Sequence, residues 1–132
     1  SAVVLGELVF AAADIDTDMF AQALPVIRGV PSRLTAYTAR GDLALHLSEK
    51  VHNYTRLGLA PPIQCFDGVE TILAENFRIS EWLGHDYMPE AAPVIHDIFN
   101  LIRHGSHPDD RPRLRRETDS RTNLPFWSLP MG

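Results

Sequence analysis

The sequence predicts an α/β fold organised on a parallel sheet, and three observations carry that expectation. Short, nearly continuous apolar runs alternate with segments whose apolar residues recur at helical spacing, the order from which strand-helix-strand units with a parallel sheet are built. The first of these runs is apolar at successive positions, a pattern that belongs to strands covered on both faces. The 132 residues, 45% hydrophobic and 22% charged, are enough for one compact domain and too apolar for wholesale disorder.

Each element has its own signals. Residues Glu7 to Ala13 (ELVFAAA) form the first strand candidate. Asp16 or Thr17 can then cap a helix carrying Phe20, Leu24 and Ile27 on one face, with Pro25 expected to kink or interrupt it. Arg33 to Thr38 (RLTAYT) alternates as a second strand, and Ala39 to Asp42 reads as a turn. Leu43, Leu47 and Val51 fall at i, i+4 and i+8 of a further helix, and Asn53 to Pro62 reads as a loop. The Asp67-Gly68 turn introduces a third strand over Val69 to Ala74. A polar loop follows to Gly84-His85, then a helix over Pro93 to His104 with Val94, Ile98, Leu101 and Ile102 on its face and Gly105 as its stop. Residues 1–105 are read as the folded domain and 106–132 as an irregular tail ending in an apolar Leu124-Pro125-Phe126-Trp127. The first strand, apolar on both faces, makes a poor sheet edge, so something is expected beside it.

Composition excludes several classes. A single cysteine, Cys65, rules out an internal disulfide and a multi-cysteine zinc site, and reads as a small buried residue before the third strand. Eleven of the twelve basic residues are Arg; six of the twelve lie between Arg103 and Arg121, while residues 1–102 carry a net charge of −7. That balance does not make the basic face of a nucleic-acid binder. No run approaches the ~18 apolar residues of a membrane helix, because Glu7 interrupts the first apolar stretch. No charged leader opens the chain, so a signal peptide is not indicated and a cytoplasmic location is expected. Asp14, Asp16 and Asp18 are spaced like the start of a calcium loop, but Met19 and Pro25 stand where the glycine and the bidentate glutamate belong. His46 with His52, and His96 with His104, lack helical ligand spacing, so no metal and no cofactor are expected.

In parallel sheets the loops leaving the C-terminal strand ends carry function. Here they bear Asp14 and Asp16 after the first strand, Asp42 after the second and His85 after the third. An acid on one such loop and a histidine on the next can pair, the carboxylate orienting the imidazole so that its other nitrogen serves as base. Asp42 could equally cap the helix that follows it, and Asp14 is a second candidate for the acid.

Several stretches resemble the C-terminal half of a bacterial family of α/β-hydrolase-fold proteins of esterase or lipase type, whose members carry an HSMG-type nucleophile elbow. They are FAAADIDTDMF (Phe10 to Phe20), LTAYTARGDLALHLSEKVH (Leu34 to His52), the RLG of Arg56 to Gly58, VETI (Val69 to Ile72), GHDYM (Gly84 to Met88) and DIFNLIRHG with RPRLRR between Asp97 and Arg116. Ala13 stands where the family often has Pro, and Leu73 where it often has Asp. The resemblance implies the C-terminal portion of an α/β-hydrolase-like parallel sheet, about three strands with flanking helices, with Asp42 as triad acid and His85 as general base. None of Ser1, Ser32, Ser48, Ser80, Ser106, Ser120 and Ser128 sits in a Gly-x-Ser-x-Gly turn. The expected function is therefore the acid- and base-bearing part of a serine hydrolase of carboxylic esters or related acyl compounds, inactive or nearly so alone. The other reading is a non-catalytic assembly module, in which the first strand and the apolar tail (Phe126, Trp127 and Leu129) pair with another copy, as a homo-oligomer through the first strand, or with a partner, and Asp42 and His85 are relics.

Overall fold

The computed structural model describes residues 4–11, 15–40, 57–75 and 88–130, with backbone alone at 40 and 88–92. In chain order these form β1 (Leu5–Ala11), α1 (Thr17–Ile27), β2 (Pro31–Arg40), β3 (Leu59–Ala60), β4 (Glu70–Ala74), α2 (Met88–His104), a 3-10 turn (Pro108–Asp110), β5 (Arg115–Thr118) and β6 (Pro125–Leu129). The sheet runs β1-β2-β4-β6-β5, with the short β3 also paired to β2. β1, β2, β4 and β6 are mutually parallel where they pair, and β5 is antiparallel to β6.

Alternation along the strands sorts side chains onto two faces. On one face Leu34 and Ala36 of β2 meet Phe20 and Leu24 of α1, with Leu8 and Phe10 of β1 against them. On the other, Tyr37 and Ala39 of β2, Ile72 and Ala74 of β4, and Trp127 and Leu129 of β6 meet Val94 of α2, with Val9 and Ile98 alongside. The sheet is thus sandwiched between α1 and α2, and the three strands expected from the sequence are neighbours in the order β1-β2-β4.

Asp16 caps α1: its Oδ1 accepts from the backbone N–H of Asp18 at 2.8 Å and of Met19 at 3.3 Å. Asp16→Ala is expected to lower the unfolding free energy by about 1 kcal/mol in urea titrations, the usual worth of such a cap. Pro25 does not interrupt α1, which continues to Ile27; the helix ends within a turn of the proline, where little ladder remains to lose. α2 starts at Met88, ahead of the expected Pro93, and ends at Gly105, whose φ of 61° is a left-handed cap with its N–H donating to Leu101 O at 2.8 Å. The helix expected over Leu43 to Val51 lies outside the described residues.

Two expectations need correction. The described part of the expected tail, residues 106–130, is not irregular: it holds the 3-10 turn and the β5–β6 hairpin, and β6 extends the parallel sheet beside β4. Asp119 closes the hairpin, its carboxylate accepting from Thr122 Oγ1 at 2.7 Å and its backbone N–H donating to Leu124 O at 2.8 Å, while Asn123 takes a φ of 61°. Asn adopts that left-handed conformation more readily than other side-chain-bearing residues. β1, in turn, is not covered on both faces along its length. Leu5 is 39% exposed, Glu7 to Phe10 are half-buried, and nothing among the described residues pairs with its outer edge.

Candidate functional site

Parallel pairing brings the C-terminal ends of β1, β2, β4 and β6 to one edge of the sheet. β2 and β4 are direct neighbours, with Ala39 opposite Ala74, and the N–H of Glu75 donates to Leu129 O at 3.1 Å, joining the ends of β4 and β6. At this edge Ala39 and Ala74 are small and buried. The N–H of Ala39 donates to Gly58 O at 2.9 Å, and that of Leu57 to Ile15 O at 2.8 Å, so the segments entering β3 and α1 are tied to the same rim. Asp42 stands two positions after Arg40 and His85 eleven after Ala74. Both, with Asp14 and Tyr87, lie outside the described residues; the strand ends that precede Asp42 and His85 are adjacent on one edge.

The other sequence candidates are placed directly. Asp16 is a helix cap, and Asp18 is exposed in the first turn of α1. Cys65 is buried ahead of β4, and burial pushes its thiol up to about 11, the opposite of what a nucleophilic thiolate requires. His96 and His104 are exposed on α2. Among the described residues no group of three His, Cys, Asp or Glu side chains is placed to hold a metal, and no helix is long and apolar enough to cross a membrane.

A second polar constellation was not anticipated. Under α2, Tyr37 Oη donates to Asp97 Oδ2 at 2.5 Å, and Arg111 Nη1 donates to the same oxygen at 3.1 Å. Arg111 Nη2 stands 3.9 Å from Glu70 Oε2; Glu70 pairs in turn with Arg33, whose Nη2 donates to Gly105 O at 3.0 Å and whose Nε is 3.8 Å from Glu7. The Arg111 side chain is fully buried and that of Asp97 nearly so. Burial raises the Asp97 carboxyl above its ordinary range despite the Tyr37 hydrogen bond and the Arg111 guanidinium, and likewise raises Glu70 against the pull of Arg33. Burial also raises the Tyr37 phenol, so Tyr37 is a donor, not a base. This chain of charges joins β1, β2, β4, α2 and the segment after the 3-10 turn, and its inner members are sealed from solvent. It anchors α2 and the C-terminal segment to the sheet. One signal was present in the sequence: Asp97 falls three residues after Val94 and four before Leu101, on the apolar face of α2.

A cavity of about 230 Å³ lies between α2 and the turn before β5, lined by Pro93, His96, Asp97, Asn100, Arg113 and Leu129 among others. None of its lining residues is a serine, threonine or cysteine, so it offers no side-chain nucleophile of the hydroxyl or thiol kind.

A mostly parallel sheet between helices, with candidate polar residues following adjacent strand ends, defines an architecture of α/β-hydrolase type. The family model described as an alpha/beta hydrolase of unknown function (DUF900) matches residues 1–104, and the chain belongs to that family. The match ends at the close of α2, before the β5–β6 hairpin. Comparison with curated proteins and with solved structures gave no match.

Proposed function

We propose that this chain supplies the acid and the base of a serine hydrolase acting on carboxylic esters or related acyl compounds. Asp42 orients and charge-stabilises the imidazole of His85, and His85 takes the proton from a serine and returns it to the leaving group. The serine and the oxyanion-hole amides come from residues outside this chain, because no Gly-x-Ser-x-Gly turn occurs in it. The observation that carries the reading is the direct parallel pairing of β2 and β4, from whose C-terminal ends the segments bearing Asp42 and His85 depart. Family membership supports it. Among the described residues nothing pairs with the outer edge of β1, which leaves room there for a nucleophile-bearing strand.

The test has two parts. With p-nitrophenyl esters the chain alone is expected to turn over at the rate of buffer, and Asp42→Asn and His85→Ala are expected to leave that rate unchanged. Joined to a strand-turn-helix that carries a Gly-x-Ser-x-Gly elbow, it is expected to gain activity that His85→Ala removes by at least about 10³-fold. Strong activity of the lone chain that disappears in one of its own Ser→Ala variants overturns the reading, and so does joined activity indifferent to His85.

A further inference from the structure

Among the described residues four hold a positive φ: Gly68 at 85°, Gly105 at 61°, Asn123 at 61° and Arg113 at 74°. Glycine enters that region freely and asparagine more readily than most residues, whereas a long side chain there is strained. Strain of this kind gathers at ligand-binding and active sites. Nothing inside the molecule offsets it at Arg113. Its guanidinium makes no hydrogen bond or ion pair among the described residues, while the nearby Arg111 and Arg116 are both paired with carboxylates.

Arg113 lines the cavity of about 230 Å³ between α2 and the turn before β5. His96 and Asn100, one helical turn apart on α2, line the same cavity, and their side chains also have no hydrogen-bonding partner among the described residues. A guanidinium, an imidazole and a carboxamide that no other group engages therefore border one space. Pro93, Pro112 and Leu129 give that space its apolar wall. Asp97 borders it as well, but its charge is balanced by the Arg111 guanidinium at 3.1 Å.

We propose that this cavity binds a small monocarboxylate with a short aliphatic tail, held by Arg113 with His96 and Asn100 as further hydrogen-bonding groups. The planar fork of arginine matches a carboxylate with two parallel N–H donors. Arg113 is the one arginine or lysine among the described lining residues, so a single negative charge is matched, and a dianion is left with excess charge beside Asp97. The carbons of the two prolines and the leucine cover the tail. The volume falls below the ~300 Å³ at which pockets for drug-sized ligands begin, which limits the tail to a few carbons. The inference uses neither Asp42 nor His85 and stands or falls apart from the hydrolase reading.

The test is an amide NMR titration of the chain with sodium acetate, propionate, butyrate and inorganic phosphate at constant ionic strength and neutral pH. Butyrate is expected to shift the His96, Asn100 and Arg113 signals saturably, with affinity rising at least about threefold for each methylene from acetate to butyrate. Phosphate is expected to bind more weakly than butyrate. Arg113→Gly relieves the backbone and removes the guanidinium, so it is expected to weaken butyrate at least about tenfold with a melting temperature no lower than before. Arg113→Asn, the residue that this chain holds at positive φ at position 123, is expected to do the same. Butyrate that shifts none of these signals, affinity indifferent to tail length, tighter binding of phosphate, or either variant binding butyrate unchanged overturns the proposal. A melting temperature lowered in both variants marks a structural arginine and overturns it too.

Discussion

Arg111→Ala is expected to lower the unfolding free energy by about 3–5 kcal/mol at neutral pH, the cost of leaving a buried partner charge uncompensated. The guanidinium is fully buried and donates to Asp97 at 3.1 Å, and no other cation reaches that carboxylate among the described contacts. Without it, Asp97 keeps only the Tyr37 hydroxyl. The loss is expected to shrink as pH falls, because a protonated Asp97 no longer needs a counter-charge. The same carboxyl sets a sign in the parent protein. Its folded-state value lies above the ordinary 3.8, chiefly through burial, so the native state binds more protons than the unfolded chain in that range. The Asp97 contribution is therefore fully present below pH ~4 and is lost as pH rises through the folded-state value. Asp97→Asn, keeping the shape and removing the titration, is expected to flatten that part of the profile in urea titrations followed by circular dichroism. A concerted Tyr37→Phe, Asp97→Leu, Arg111→Met replacement is expected to cost less than Arg111→Ala alone, because no unpaired charge remains.

Trp127→Ala is expected to cost about 3–5 kcal/mol, the range for deleting a buried indole. Trp127 is only 3% exposed, sits in the core beneath α2, and donates from Nε1 to Asp109 Oδ1 at 2.9 Å. His107 meets its ring edge-on at 5.6 Å, and the Arg116 guanidinium lies 5.6 Å from its centroid. Were residues 106–132 an appendage, the substitution would leave the melting temperature unmoved. As the inner strand of the hairpin beside β4, β6 is expected to make Trp127→Ala one of the most damaging single changes in the chain. Small domains hold only ~5–15 kcal/mol in total, so either substitution removes a large share. Trp127→Phe, which retains most of the apolar volume and loses the Asp109 hydrogen bond, is expected to cost markedly less.

The elements that came through from sequence are those whose signals are local. The apolar run of β1, the alternation of β2, the Asp67-Gly68 turn before β4, the Asp16 cap and the Gly105 stop each act through neighbouring residues, so each is readable from a short window. β5 and β6 were not readable in this way. The RRET of β5 is an exposed edge that needs no apolar alternation, and β6 begins at Pro125 and is followed by Pro130, which a local reading takes as breakers. The turn that joins them had its signals in Asp119 and Asn123, but what makes β6 a strand is β4 beside it, where Ile72 pairs with the far-off Trp127. The buried charges were hidden for the same reason. Arg33, Glu70, Asp97 and Arg111 come from four separate segments, and each looks like an ordinary surface residue in its own window.

By itself, then, the sequence determined the class of fold, the order of its first strands and helices, and which residue types follow the strand ends, because hydrophobic period and turn chemistry are properties of contiguous chain. Only the tertiary structure decided that β2 and β4 are neighbours with their C-terminal ends on one edge, that the basic C-terminal segment extends the sheet beyond β4, and that a buried ion network ties it down. Strand pairing and charge compensation depend on which distant segments meet, and no local pattern encodes that choice.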